Sequence, residues 1–145
     1  MNLIIRKASV HWTGGAKGGA RAVTTESGVL KPAKFSLDAP LKNKSSHTDP
    51  AELIAAAHAS SFSLALSNEL GLKAFAAGEI VTSATVTLEH LAIGWTIMNI
   101  HLNVIARLPK VTQSEFIDAT VRAKTSCLVS RALRANISMN AKLEK

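Results

Sequence analysis

One thiol, with a few hydroxyls and imidazoles, carries the nucleophilic chemistry open to this chain. Cys127 is the single cysteine of 145 residues, which excludes an intramolecular disulfide. It lies where a short helical turn over 128–133 is expected to begin, with Lys124, Arg131 and Arg134 close in sequence. A helix N-terminus and nearby cations both favour thiolate over thiol, so Cys127 is a candidate nucleophile. Alone, such a cysteine is more often a small buried hydrophobe. His58 and Ser61 are three residues apart on a predicted helix and share a face, the spacing a Ser-His hydrolase could use. No GxSxG elbow accompanies them, no carboxylate is in view to orient the imidazole, and a mid-helix serine is poorly exposed for attack.

Other chemistries fare worse. His11, His47, His58, His90 and His101 show no HxH, HExxH or paired-cysteine spacing, so no metal is expected. The glycines of GGAKGG (14–19) fall between two strands, where no helix N-terminus can face a phosphate. The net charge of +7 and pI near 9.9 would suit an acidic partner. Yet the basic residues are scattered, and two Trp, four Phe and no Tyr leave little for base stacking, which argues against nucleic acid. A short apolar trio precedes the first charge, too little for a signal peptide, so a cytoplasmic location is expected.

The element that has to position these groups is a helix over 50–70. Asp49 suits its N-cap, Pro50 its first position, Glu52 the third position of a capping box, and Gly71 its left-handed stop. The sixteen residues 53–68 carry no formal charge, and Ala or Ser fills most of them. A helix with no polar face should be covered on all sides. At roughly 30 Å it is too long for one such chain to wrap, so a second copy is implied. Small side chains at Ala51, Ala55, Ala59 and Ser63 would let two copies of the helix approach across a dimer axis. His58 and the serines interrupt the run short of what a membrane span needs.

Around this helix the alternation sets Ala8, Val10 and Trp12 against Lys7, Ser9 and His11 in a half-buried strand over 4–12. A Gly-rich turn leads to a second strand over 21–26. A weaker third runs over 30–37, with Pro32 suited to an edge. Downstream, 80–89 and 95–107 should pair as an antiparallel hairpin near Gly94, the second strand burying Met98, Ile100, Leu102, Val104 and Ala106. Thr112 and Glu115 form a capping box for a helix ending near Lys124. A last strand over 136–143 buries Ile137, Met139, Ala141 and Leu143. Strands in adjacent pairs predict an α+β fold in one domain, 1–145, and argue against a parallel α/β sheet.

Three phrases carry a resemblance: TTESGVL (24–30), TDPAELIAAAHASSFSLALS (48–67) and RAKTSCLVSRAL (122–133). In this order, nearly end to end, the chain resembles the OsmC branch of the OsmC/Ohr family, the osmotically inducible and organic hydroperoxide resistance proteins. The resemblance implies an OsmC-like α+β fold and an intertwined homodimer, with long central helices enclosed by antiparallel sheets. It also implies a cytoplasmic, cofactor-free peroxidase of oxidative and osmotic stress defence. A peroxidatic cysteine on the central helix attacks an organic hydroperoxide, a second cysteine resolves the sulfenic acid as a disulfide, and an external lipoyl-type dithiol reduces it.

On that pattern Ser61 stands at the peroxidatic position and Cys127 at the resolving one. Ala51 replaces the glutamate that directly follows the proline in Ohr-type members, with Glu52 one residue on. The arginine that steadies the thiolate is matched loosely by Lys17 or Arg21, and Leu128 replaces a usual proline. A serine hydroxyl cannot become a sulfenic acid, so the two-sulfur cycle is closed to this chain. Three functions are left: an altered hydroperoxide reductase; an inactive member binding a small hydrophobic ligand in a dimer-interface pocket near Ser61, Phe62 and Cys127; or mixed-disulfide chemistry by Cys127 alone.

Overall fold

The computed structural model describes residues 3–14, 20–35, 47–71 and 78–144. They fall into two compact units, Met1–Pro50 and Ala51–Lys145. In the first, β1 (Ala8–Thr13), β2 (Ala20–Thr25) and β3 (Ala33–Lys34) pair antiparallel in that order. The third strand is only two residues long and starts just after Pro32, which supplies no ladder donor. Gly28, at φ 78°, makes the turn after β2, held by the Thr25 amide donating to Leu30 O at 2.9 Å. The alternation of β1 predicted one buried face, but all six of its residues are exposed. Among the described residues of this unit Val23 and Phe35 are buried, while Val10 and Trp12 stay open to the outside.

The second unit is built on α1 (Pro50–Leu70), whose bounds match the sequence reading, with Gly71 at φ 67° ending it. Only one stripe of α1 is fully buried: His58, Phe62 and Leu66, four residues apart. Ala56, Ala57, Ser60, Leu64 and Asn68 lie exposed, so the described residues do not enclose the charge-free stretch of this helix. Ser60 turns its hydroxyl back onto the helix, to Ala56 O at 2.9 Å and Ala57 O at 3.0 Å. The Ser63 hydroxyl instead donates to Thr82 Oγ1 at 2.7 Å, tying α1 to β4 (Glu79–Leu91).

β4 and β5 (Gly94–Arg107) form the long antiparallel hairpin, closed by Gly94 at φ 120°. Two expectations need correcting here. The register shifts between Thr87 and Leu88, leaving Met98 as an extra residue opposite them, and this bulge puts Ile97 rather than Met98 against the core. β6 (Asn136–Glu144) then pairs with β5 in parallel, so the sheet β4-β5-β6 is mixed rather than antiparallel. A parallel neighbour needs a crossover, and α2 (Gln113–Ser126) with α3 (Leu128–Ala132) supplies it. Within β6, Ile137, Met139 and Leu143 pack on the core but Ala141 is exposed.

The core joins Phe62 and Leu66 of α1, the alternating Ile100, Leu102, Val104 and Ala106 of β5, and Phe116, Ala119 and Ala123 of α2. Cys127 closes the α2 stripe at the next helical step. α2 starts with the predicted capping box, Thr112 Oγ1 accepting from the Glu115 amide at 3.2 Å and Glu115 Oε2 from the Thr112 amide at 2.9 Å.

Candidate functional site

Cys127 sits at the junction of α2 and α3, as the C-cap of the first and the N-cap of the second. Its amide donates to Ala123 O at 2.8 Å, which fixes the backbone and aims the side chain inward. The thiol is 1% exposed and part of the hydrophobic core cluster. Helix α1 passes it with Ser61, and Ser61 Oγ lies 3.2 Å from Cys127 Sγ, close enough for either to donate. The sequence had these two residues 66 apart, and the fold brings them together.

Two further residues complete a polar chain inside this apolar setting. His58, one turn before Ser61 and fully buried, places Nε2 at 2.7 Å from Ser130 Oγ on α3. Ser130 lies three residues beyond Cys127, and its hydroxyl is among the groups that favour the charged form of the thiol. The sequence singled out His58 only as a partner for Ser61 and did not single out Ser130. The signal was present: three residues beyond an N-cap cysteine, a hydroxyl is carried back to the cap by one turn of helix.

Burial pushes the Cys127 thiol up, but the hydroxyls of Ser130 and Ser61 pull it down, and the net result lies below its ordinary value. The amides of Ser130 and Val129 also face the sulfur and favour its charged form, without the geometry of a full capping hydrogen bond. The cations expected to do this do not contribute: Lys124, Arg131 and Arg134 are all exposed. Their long side chains run to solvent, so hydrogen bonds rather than charge make this thiol acidic. Burial holds the His58 pKa below its ordinary value, and its Nδ1 has no hydrogen-bond partner among the described residues.

The remaining candidates are Glu52, Arg21, Lys17 and Phe62. Glu52 is exposed on the first turn of α1, nine residues or about 14 Å of helix rise from Ser61. Arg21 belongs to the first unit, where its guanidinium stacks 4.5 Å from the centre of the Trp12 ring. Lys17 lies outside the described residues. Phe62, named as a pocket residue, is fully buried in the core. Among the described residues no cluster of three or more His, Cys, Asp or Glu forms a metal site, and no helix is long and apolar enough to cross a membrane.

The α+β chain thus holds its one thiol, with a serine hydroxyl beside it, between its longest helix and a helix junction. The family model for OsmC-like protein matches residues 42–142, and this chain belongs to that family. It is 37% identical over 141 residues to Peroxiredoxin OsmC of Escherichia coli (strain K12), covering 97% of this chain and 98% of that one. Among solved structures, an OsmC-like protein of unknown function from Vibrio cholerae superposes with a TM-score of 0.75 at 14% identity, over 97% of this chain and 100% of that one. An organic hydroperoxide resistance protein from Elizabethkingia anophelis gives 0.70 at 24% identity, over 99% and 98%. These two show a shared fold.

Proposed function

We propose that the chain is a thiol-dependent organic hydroperoxide reductase of altered type, in which Cys127 works as the one reactive sulfur. The observation that carries this is the 3.2 Å contact between Ser61 Oγ and Cys127 Sγ. On the family pattern a second sulfur would stand at Ser61, so the contact supports an intact site with one of its two thiols replaced. The Cys127 thiolate attacks one oxygen of ROOH, the O–O bond breaks, and ROH leaves after taking a proton from solvent. Cys127 becomes a sulfenic acid. No internal cysteine can resolve it, so an external dithiol condenses with it, releasing water and forming a mixed disulfide. The second sulfur of the dithiol displaces Cys127 and leaves as a cyclic disulfide. A lipoyl-type dithiol fits because it brings the sulfur this chain lacks.

Peroxide consumption with an alkyl hydroperoxide and a dithiol tests the proposal. Slow turnover that Cys127→Ser abolishes and Ser61→Cys accelerates is the expected result. Background rates for both the natural chain and Ser61→Cys would remove hydroperoxide reduction altogether. The near-complete burial of Cys127 favours one other reading, an inactive member that holds a small hydrophobic ligand beside it. Saturable binding of acyl or aryl ligands in native mass spectrometry, with turnover only in Ser61→Cys, is its signature.

The exposed face of α1 supports a homodimer in which a second copy covers it. An uncharged helix face left open in one chain is the kind of surface a second protomer buries.

A further inference from the structure

We propose that Ser61 holds the substrate of Cys127: its hydroxyl oxygen accepts the O–H of an organic hydroperoxide and so sets the terminal peroxide oxygen on Sγ. The inference rests on hydroperoxide reduction by Cys127 and names the group that would recognise the peroxide there. The neighbouring serines of α1 use their hydroxyls differently. Ser60 bonds back to the helix carbonyls of Ala56 and Ala57, as a mid-helix serine can. Ser63 donates to Thr82 Oγ1. Ser61 does neither, and among the described residues its one hydrogen-bond partner is Cys127 Sγ at 3.2 Å.

A hydroxyl has one hydrogen and two lone pairs, and a thiolate can only accept. With the Ser61 hydrogen turned to a charged sulfur, both lone pairs of Oγ are left for a ligand that donates. The contact length suits a shared oxygen. An oxygen about 2.8 Å from Oγ and about 3.3 Å from Sγ closes a triangle on the 3.2 Å side, within hydrogen-bond reach of one atom and attack distance of the other. Exposure runs the same way: Ser61 is half-buried where Cys127 is 1% exposed, which puts the serine on the more open side of the pair. In the reaction the S–O bond forms as the O–O bond breaks, and the electron pair of that bond leaves on the alkoxide, which takes a proton from solvent. Sulfur is oxidised and the peroxide is reduced to an alcohol. The peroxide hydrogen stays on the transferred oxygen as the sulfenic O–H, so Ser61 accepts the same hydrogen before and after the step.

Two reactions of Cys127, each read as loss of the free thiol, test the role. One is oxidation by tert-butyl hydroperoxide, and the other is disulfide formation with methyl methanethiosulfonate, which has no hydrogen to donate. Both consume the thiolate, so the ratio of their rates at one pH cancels any change in how readily the thiol ionises. Ser61→Ala is expected to lower the hydroperoxide-to-thiosulfonate ratio about tenfold, the loss of one hydrogen bond to a reacting group. Ser61→Thr, which keeps the hydroxyl, should retain most of it. Alanine is the better helix former, so the variant is expected to fold. An unmoved ratio in Ser61→Ala would overturn the proposal and leave Ser61 acting on the thiol alone. A ratio that falls as far in Ser61→Thr would also overturn it, by assigning the loss to shape rather than to the hydroxyl. If the natural chain consumes the thiosulfonate but not the hydroperoxide, hydroperoxide reduction itself is removed and this role with it, so the two failures are read apart.

Discussion

At Cys127 burial and hydrogen bonding pull the thiol in opposite directions, and removing any one hydroxyl should let burial gain ground. Ser61→Ala is expected to raise the Cys127 midpoint by roughly one pH unit, read by the pH dependence of alkylation with a small neutral electrophile. His58 gives a second, opposite pH signature. Its folded pKa lies below that of the unfolded chain, about 6.5, so the unfolded state takes up the proton first as the pH falls. Stability contributed by the neutral imidazole is therefore present above that value and is lost progressively below it. Melting temperatures should drop between about pH 7 and pH 5 in the natural protein and flatten in His58→Gln. The sequence named Cys127 and Ser61 from residue type and spacing, with the family phrases adding their positions, because local residue types identify a nucleophile. It credited the wrong stabilisers, because whether a lysine or arginine near in sequence actually faces a sulfur depends on packing that spacing does not encode.

Helices were the legible elements and sheet details were not. α1 and its end at Gly71 followed from local signals, as did the capping box of α2. Thr112→Ala should lower stability by about 1 kcal/mol, measured by urea unfolding, since the Glu115 amide loses its hydroxyl acceptor while the Thr112 amide keeps its bond to Glu115 Oε2. Phe62→Ala, from the fully buried stripe of α1, should lower it by about 3–5 kcal/mol. What escaped was non-local. Nothing in the alternation of β5 marks Met98 as an extra residue, because a bulge is defined by the partner strand. The direction of β6 depends on where the intervening helices deliver it. A strand, helix, strand order did hold the clue, since a helix between two strands is the usual means of parallel pairing.

For the whole molecule, the open face of α1 sets the expectation. Leu64 is 59% exposed on a helix surface without charge, and Leu64→Glu should convert a dimer into monomers in sedimentation velocity while leaving the buried stripe of His58, Phe62 and Leu66 in place. A natural chain that sediments as a folded monomer would remove the dimer. The parallel pairing of β6 has a consequence for biosynthesis. Every rung it shares with β5 joins residues 37 apart, from Asn99 with Asn136 to Arg107 with Glu144. A ribosome must therefore release the last strand before the edge of that sheet can close. Until then the nascent chain carries its only thiol in a half-built setting, open to oxidants that the finished protein would meet on its own terms.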